Sequence, residues 1–377
     1  MAPITMDCLP LQPAPISLPK DAPSPNDTHT MGLSIPDDFD DGEILARIHL
    51  KLERLARLYA SGKPLFPRHL LADLDAQIDQ GNEEVHIDDL DDVSHTYSLK
   101  VPAWCSDFER TTYRIGYSSI QNLTCIHPSF PEISLRDISP ISICYTSSAE
   151  YPQSPLPEVQ AAFAASKRKW EASETCATLK MHLTQLERKM ARPVRKIVAF
   201  GLGTLTGLED EFHSARALAQ HAALGSMVEV LGKRRAQQNN PSPNTTSNIK
   251  VYVQDPAYTD VDIALLHSIG ITPLDDPKGF LEIDAETLVF SVSPNVPVKQ
   301  VVADVCWPAA MIWNTVMPEE KENVRWEKQV RGGEEFWVVP FTTDPDSARV
   351  RRMVREYTSV PLRDSNEYFG DLTIYAR

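Results

Sequence analysis

Lys196-Ile-Val-Ala-Phe-Gly-Leu-Gly203 is an apolar run that stops on two glycines, and its reading decides the fold. An alanine-rich stretch follows, then Ile249-Lys-Val-Tyr-Val-Gln-Asp-Pro256, a second apolar run that stops on an acid. Strand, glycine turn, helix, strand, acid is the order that opens a nucleotide-binding α/β unit. Moving outward, Val261, Ile263, Leu265, Leu266 and Ile269 predict a short helix stopped by Gly270. Ile271-Thr-Pro-Leu274 reads as a third strand, ending on Asp275-Asp276. Thr287-Leu-Val-Phe-Ser-Val292 is a fourth, continuous enough to be buried on both faces, and it ends on Ser293-Pro-Asn-Val-Pro297. A helix is predicted from Val298 to Trp307, then a further apolar run, Ala309 to Trp313. Residues 317–334 are charged and read as a loop, and Glu335 to Phe341 as a fifth strand that Pro340 places at an edge or a terminus. Asp346 to Tyr357 is a basic amphipathic helix with Arg349, Arg351, Arg352 and Arg355 on a solvated face, and Leu372-Thr-Ile-Tyr375 is a last strand. The fold class is α/β: a Rossmann-like, mainly parallel sheet with flanking helices, plus a helical and irregular N-terminal region.

Upstream, residues 1–38 carry eight prolines among Ser, Thr and Asp and read as a disordered tail, because such a segment buries too little to offset its ordering entropy. Ile44, Leu45, Ile48, Leu50, Leu52, Leu55, Leu58 and Tyr59 recur at helical spacing between Gly42 and Ser61, and a second helix is expected around His69. This amphipathic helix either docks on the protein's own core or binds a partner. Glu84 to Asp89 and Thr96 to Val101 alternate at period two and read as strands. Residues 103–155 show only weak strands, with Tyr113, Tyr117, Ile120 and Phe130 expected to pack on the main domain. After Pro157 a single long helix is predicted, with Val159, Phe163, Trp170, Cys176, Leu179, Leu183 and Leu186 on its buried face. The domains are therefore 1–38, a tail; 39–155, a region packing on the core; and 156–377, the α/β domain with a polar insertion at 233–248.

A chain of 377 residues holds about two domains, and 42% hydrophobic residues suffice for a sizeable core. The net charge of −15 argues against nucleic-acid binding, which needs clustered Lys and Arg. The six cysteines are scattered, none at metal-ligand spacing, and are expected to be reduced thiols. No signal peptide and no membrane span is read, which places the protein in the cytoplasm or nucleus and makes Asn26, Asn122 and Asn244 chance sequons.

The chemistry-bearing stretch is Gly201-Leu-Gly203-Thr204-Leu-Thr-Gly207, spaced G-x-G-x-x-x-G rather than G-x-G-x-x-G. Such a loop either brings backbone N–H groups to a ligand or merely turns the chain. Asp255, at the end of the second strand, is placed to accept both hydroxyls of a ribose; the alternative is a turn capping the helix near Thr259. It follows Gly203 by about fifty residues, where ~20 is usual, and the polar insertion accounts for part of the excess. Ser293 and Asn295 fall at the same sheet edge, and Ser293-Pro-Asn-Val296 shares part of the (Asp/Asn/Ser)-Pro-Pro-aromatic motif of amino-methyltransferases, without its second proline or its aromatic. His213 and His221, eight apart, are read as one polar stripe facing the glycine turn and not as metal ligands. No catalytic constellation is visible. Gly201, Gly203, Thr204, Asp255, Ser293 and Asn295 are thus the candidate binding residues, for S-adenosylmethionine or another nucleotide.

Lys196 to Leu205, Ala215-Arg-Ala-Leu-Ala-Gln-His-Ala-Ala223, Val253-Gln-Asp-Pro256 and Leu265-Leu-His-Ser-Ile-Gly-Ile271 together resemble the core of the sensitivity-to-red-light-reduced (SRR-like) family. Its fungal members are similar around Ser293 to Pro297 and Gln300 to Asp304, and the resemblance spans about residues 160–315. Plant and animal members carry Pro-His-Cys after the fourth strand; here Asn295 and Val296 follow Pro294, so no role resting on that His and Cys carries over. The resemblance implies a regulatory protein, linked to circadian and light signalling, heme biosynthesis control or microtubule phenotypes. A methyltransferase, with Asp255 on the ribose and Asn295 on the acceptor, is the second reading. A non-catalytic interaction module acting through the helix at 42–61 is the third.

Overall fold

In the computed structural model the described residues are 41–103, 111–129, 131–135, 138–147, 153–208, 210–238, 249–318, 326–331, 333–364 and 368–377. The Pro-rich tail, Phe130 and the insertion beyond 238 lie outside them. The N-terminal region contains α1 (Asp41–Ala60), α2 (Arg68–Asp79), β1 (Glu84–Asp88), β2 (Ser94–Ser98), β3 (Thr111–Tyr117), α3 (Ile120–Thr124) and β4 (Ile141–Ser147). Then come α4 (Leu156–Glu171), α5 (Glu174–Glu187), β5 (Lys196–Phe200), α6 (Glu211–Gln238), β6 (Lys250–Gln254), α7 (Asp260–Ser268) and β7 (Thr272–Pro273). The chain continues with α8 (Lys278–Leu281), β8 (Thr287–Ser291), α9 (Val298–Val305) and β9 (Ala310–Asn314). It closes with β10 (Glu327–Arg331), β11 (Glu334–Val338), α10 (Ala348–Val354), β12 (Thr358–Leu362) and β13 (Leu372–Ala376).

Seven strands form one sheet in the order β12-β13-β9-β8-β5-β6-β7. The pairings β9–β8, β8–β5, β5–β6 and β6–β7 are parallel, while β13 runs antiparallel to both its neighbours. Counting β5 as strand one, the parallel part reads 3-2-1-4-5, the doubly wound order whose reversal lies between β5 and β8. Side chains alternate across the sheet with period two. Ile197, Ala199, Leu288, Phe290, Ala310 and Ile312 join the core under α4, α5, α6 and α7. Val198, Phe200, Val289, Met311 and Trp313 join the opposite core, with α8, α9 and α10. All five residues of β8 are buried, as its unbroken apolar run requires.

The second core is completed from the N-terminal region. Leu55, Phe66, Leu71, Val85, Ile115, Tyr117 and Ile141 all belong to it. Ile48 and Leu55 of α1 are fully buried, whereas Leu45 and Leu50 face solvent. Lys278 pairs with Asp75 and Asp79 of α2. Arg349 stacks on the Tyr59 ring and donates to the Tyr59 and Lys63 carbonyls and to Asp304, which also accepts from the Leu65 and Phe66 N–H groups.

Three expectations are corrected and one strand is added. The long helix after Pro157 is two, because Ser173 breaks it and caps α5, its hydroxyl accepting from the Cys176 N–H. Residues 317–334 are not all loop: β10 pairs with β11 in a separate hairpin, so the strand at 335–341 lies outside the main sheet. β12 was not anticipated; Pro361 is tolerated there because the strand is at the sheet's edge. The arginines of α10 are not one solvated face, since Arg351 is buried and Arg349 is turned into the Asp304 contact. Among the described residues no helix is long and apolar enough to cross a membrane.

Candidate functional site at the carboxyl edge of the sheet

Parallel strands bring their carboxyl ends to one edge, and in open α/β sheets ligands bind there, at the point where strand order reverses. That edge carries Gly201 after β5, Asp255 after β6, Asp276 after β7 and Ser293 after β8. Gly201 and Gly203 both have positive φ, 66° and 81°. The Gly201 N–H donates to the Gln254 carbonyl at 3.1 Å, continuing the β5–β6 ladder past its end. The chain then turns, and the Gly203 N–H donates to Asp255 Oδ2 at 2.7 Å. Asp255 Oδ1 accepts from the Ala257 N–H at 2.9 Å.

Asp255 thus shapes its own turn and reaches the glycine turn, while the helix that follows is capped by Thr259 and Asp262 instead. An ionised carboxylate has about four acceptor positions, of which these backbone groups take two. Burial raises the Asp255 pKa, with a smaller contribution from Asp262, against the lowering by the Ala257 and Gly203 N–H groups and Arg114. Gly201 has a second reason to be glycine. A Cβ there would lie 3.0 Å from Pro294 Cβ, so the turn after β5 rests directly on the loop after β8.

The remaining candidates sit differently. The Thr204 hydroxyl is drawn away from the edge, donating to Asp262 Oδ2 at 2.8 Å. Ser293 has φ 49° and its N–H donates to Asn314 Oδ1 at 2.8 Å. Ser293 and Asn295 are exposed, and buried Pro294 between them makes the contact with Gly201. The two histidines do not share a stripe. His213 is exposed and pairs with Asp210, while His221 is 1% exposed. Burial holds the His221 pKa down at about 4, so the ring is neutral at neutral pH. Its Nδ1–H then donates to the Ala217 carbonyl and its Nε2 accepts from the Tyr258 hydroxyl at 2.8 Å.

Two further acids shape this edge: Asp262, which was not among the candidate residues, and Asp276, which follows the third strand as its sequence indicates. Asp262 is fully buried and accepts from Thr204 Oγ1, the Leu205 N–H and the Thr259 N–H and Oγ1, so it ties the glycine loop to the start of α7. Its signal was present as Thr259-x-x-Asp262, a capping-box spacing. Asp276 accepts at Oδ1 from the Tyr117 hydroxyl at 2.6 Å and from Gln254 Nε2 at 2.9 Å. Burial raises its pKa to about 7. No sequence pattern links Tyr117 to Asp276, which are 159 positions apart. Among the described residues no three His, Cys, Asp or Glu side chains are grouped to hold a metal ion.

Comparison with known proteins places the chain by its sequence. The SRR1 domain matches residues 176–376. No curated protein matches. Among solved structures, a putative O-methyltransferase from Klebsiella pneumoniae matches with 14% identity over 60% of this chain and 90% of its own, at a TM-score of 0.28. A likeness of that degree carries no argument about function.

Proposed function

The chain belongs to the SRR1-domain family, and from that premise we propose a regulatory protein that takes a small, nucleotide-like ligand at the carboxyl edge of β5, β6 and β8. The observation that carries the reading is the 2.7 Å hydrogen bond from the Gly203 N–H to Asp255 Oδ2, which joins the positive-φ turn and the acid at the reversal of strand order. The turn at Gly201 and Gly203 holds Asp255 at the edge, and Asp255 offers its remaining acceptor positions to a ribose. Ser293 and Asn295 border the site, and Thr204 supports it through Asp262. The family resemblance suggests light or circadian signalling, or control of heme synthesis, in the cytoplasm or nucleus.

A second reading, an S-adenosylmethionine-dependent methyltransferase, is favoured by the strand order. The reversed last strand, β13, inserts between β9 and β12, as in methyltransferase-type sheets. Against it, Asn295 is exposed and no aromatic follows Pro294 to stack on an acceptor.

Calorimetric titration with S-adenosylmethionine, S-adenosylhomocysteine and NAD, on the wild type and Asp255→Asn, tests the site. Micromolar binding that the variant weakens tenfold or more supports it. Methyl transfer from S-adenosylmethionine would move the conclusion to the enzyme. Silence from every ligand leaves a protein-interaction module, for which exposed Leu45 and Leu50 on α1 offer a surface.

A further inference from the structure

The β3–β4 hairpin pairs with no strand of the seven-stranded sheet, yet it lies against the loops that leave β6 and β7. Two side chains of β3 hold it there. Arg114 Nη2 donates to the Pro256 carbonyl at 2.8 Å, directly after Asp255. The Tyr117 hydroxyl donates to Asp276 Oδ1 at 2.6 Å, and its ring packs 5.4 Å from Phe280 and 6.0 Å from Phe66. Gly116 lets the two strands close, since a Cβ there would meet Ser142 Oγ at 2.7 Å.

Asp276 stands at the carboxyl end of the third parallel strand, beyond Asp255. A ligand whose ribose rests on Asp255 extends its base in that direction. Asp276 Oδ1 already receives two donors, and Oδ2 receives none among the described residues. A carboxylate in this position suits an amino-bearing ring, which donates N–H groups and has a flat apolar face. Tyr117 has both features: a donor on Asp276 and a flat ring beside Phe280.

We propose that Tyr117 occupies the base end of the ligand site, donating to Asp276 in place of the amino group of an adenosyl ligand, so that ligand entry requires the β3–β4 hairpin to let go. This rests on the nucleotide reading of the Asp255 edge. It makes the β3–β4 hairpin a cover of the site, with Arg114 and Tyr117 fastening it to the loops after β6 and β7.

The test is calorimetry with S-adenosylhomocysteine on the full chain, comparing wild type, Tyr117→Phe, Tyr117→Ala and Arg114→Ala, with hydrogen exchange of the β3–β4 amides as the ligand is added. Thermal melts identify any variant that fails to fold; Tyr117→Phe keeps the ring and removes only the competing donor. Tyr117→Phe and Arg114→Ala should bind about tenfold tighter than wild type, and saturating ligand should deprotect the hairpin amides of wild type. Equal binding in wild type and folded variants, with hairpin exchange unchanged, overturns the cover and leaves the Asp255 site standing. Binding by none of the four proteins overturns both.

Discussion

Asp262→Ala should be among the most damaging single changes at the sheet edge, although the residue was not among the candidates read from the sequence. The wild-type carboxylate accepts four hydrogen bonds at 2.7–2.9 Å, from Thr204 Oγ1, the Leu205 N–H and the N–H and Oγ1 of Thr259. Truncation leaves the two hydroxyls free to turn elsewhere, but the two backbone N–H groups are fixed. Each buried donor left without a partner costs ~1–3 kcal/mol, and Leu205 is fully buried. The two together cost about 2–6 kcal/mol, a large part of the ~5–15 kcal/mol that keeps a domain folded. Asp262→Asn retains one acceptor oxygen and turns an NH₂ group toward the other donors, so it should fall between Ala and wild type. Urea unfolding supplies the free energies, and hydrogen exchange at residues 203–206 reports whether the loop is released from α7. A loss below about 1 kcal/mol for Asp262→Ala, or unchanged exchange in the loop, would refute the claim that this acid holds the glycine turn.

Further outcomes are expected at other positions. Gly201→Ala combines the strain of positive φ with a contact 3.0 Å from Pro294 Cβ, whereas Gly270→Ala has positive φ but open space. The first should cost about 2–4 kcal/mol and the second ~1–2; equal losses by chemical denaturation would mean that Pro294 does not press on the turn. Arg349→Met strands Asp304, whose side chain is 6% exposed, so a loss of ~3–5 kcal/mol is expected, with α1 becoming sensitive to limited proteolysis; an unchanged digest would contradict the docking of α1 through Arg349. Asp276, with its pKa raised to about 7 from an ordinary 3.8, holds a proton in the folded state that the unfolded chain has released between those values. It therefore makes stability fall as pH rises across that window, by up to ~1.4 kcal/mol per pH unit. Asp344, also raised to about 7, acts in the same direction, and His221, held at about 4, in the opposite one. Asp276→Asn should thus show a less downward pH–stability slope than wild type in melts at about pH 5, 6 and 7; parallel profiles would show that the carboxyl ionises normally.

The parts of the fold visible in the sequence are those where local pattern and burial agree. β5 and β8 are apolar on both sides because both faces of the sheet are covered, and glycines end β5 because the turn needs positive φ. The break between α4 and α5 was hidden because no Gly or Pro marks it; Ser173 ends one helix only by capping the next. β10 was hidden because its charged face, with Val330 exposed, does not alternate as a core strand does; β11 was legible as the strand at 335–341, but not its pairing in a separate hairpin. At the candidate site, Gly201, Gly203 and Asp255 could be placed because they lie at strand ends that the parallel order brings together. Tyr117 could not, because its partner is set by how a separate hairpin packs and not by any local spacing. His221 was legible as a residue but not in its state, which depends on burial beside Tyr258.

The site at Asp255 is tested most directly by the amide resonances of Gly201 and Gly203 in ¹⁵N-labelled protein as S-adenosylhomocysteine or NAD is added. The account predicts saturable shifts of both peaks in wild type, and no shift at the same concentrations in Asp255→Asn. Shifts confined to the cleft of about 200 Å³ at the opposite edge of the sheet, lined by Lys189, Glu356 and Arg377, would contradict it, as would glycine peaks that never move.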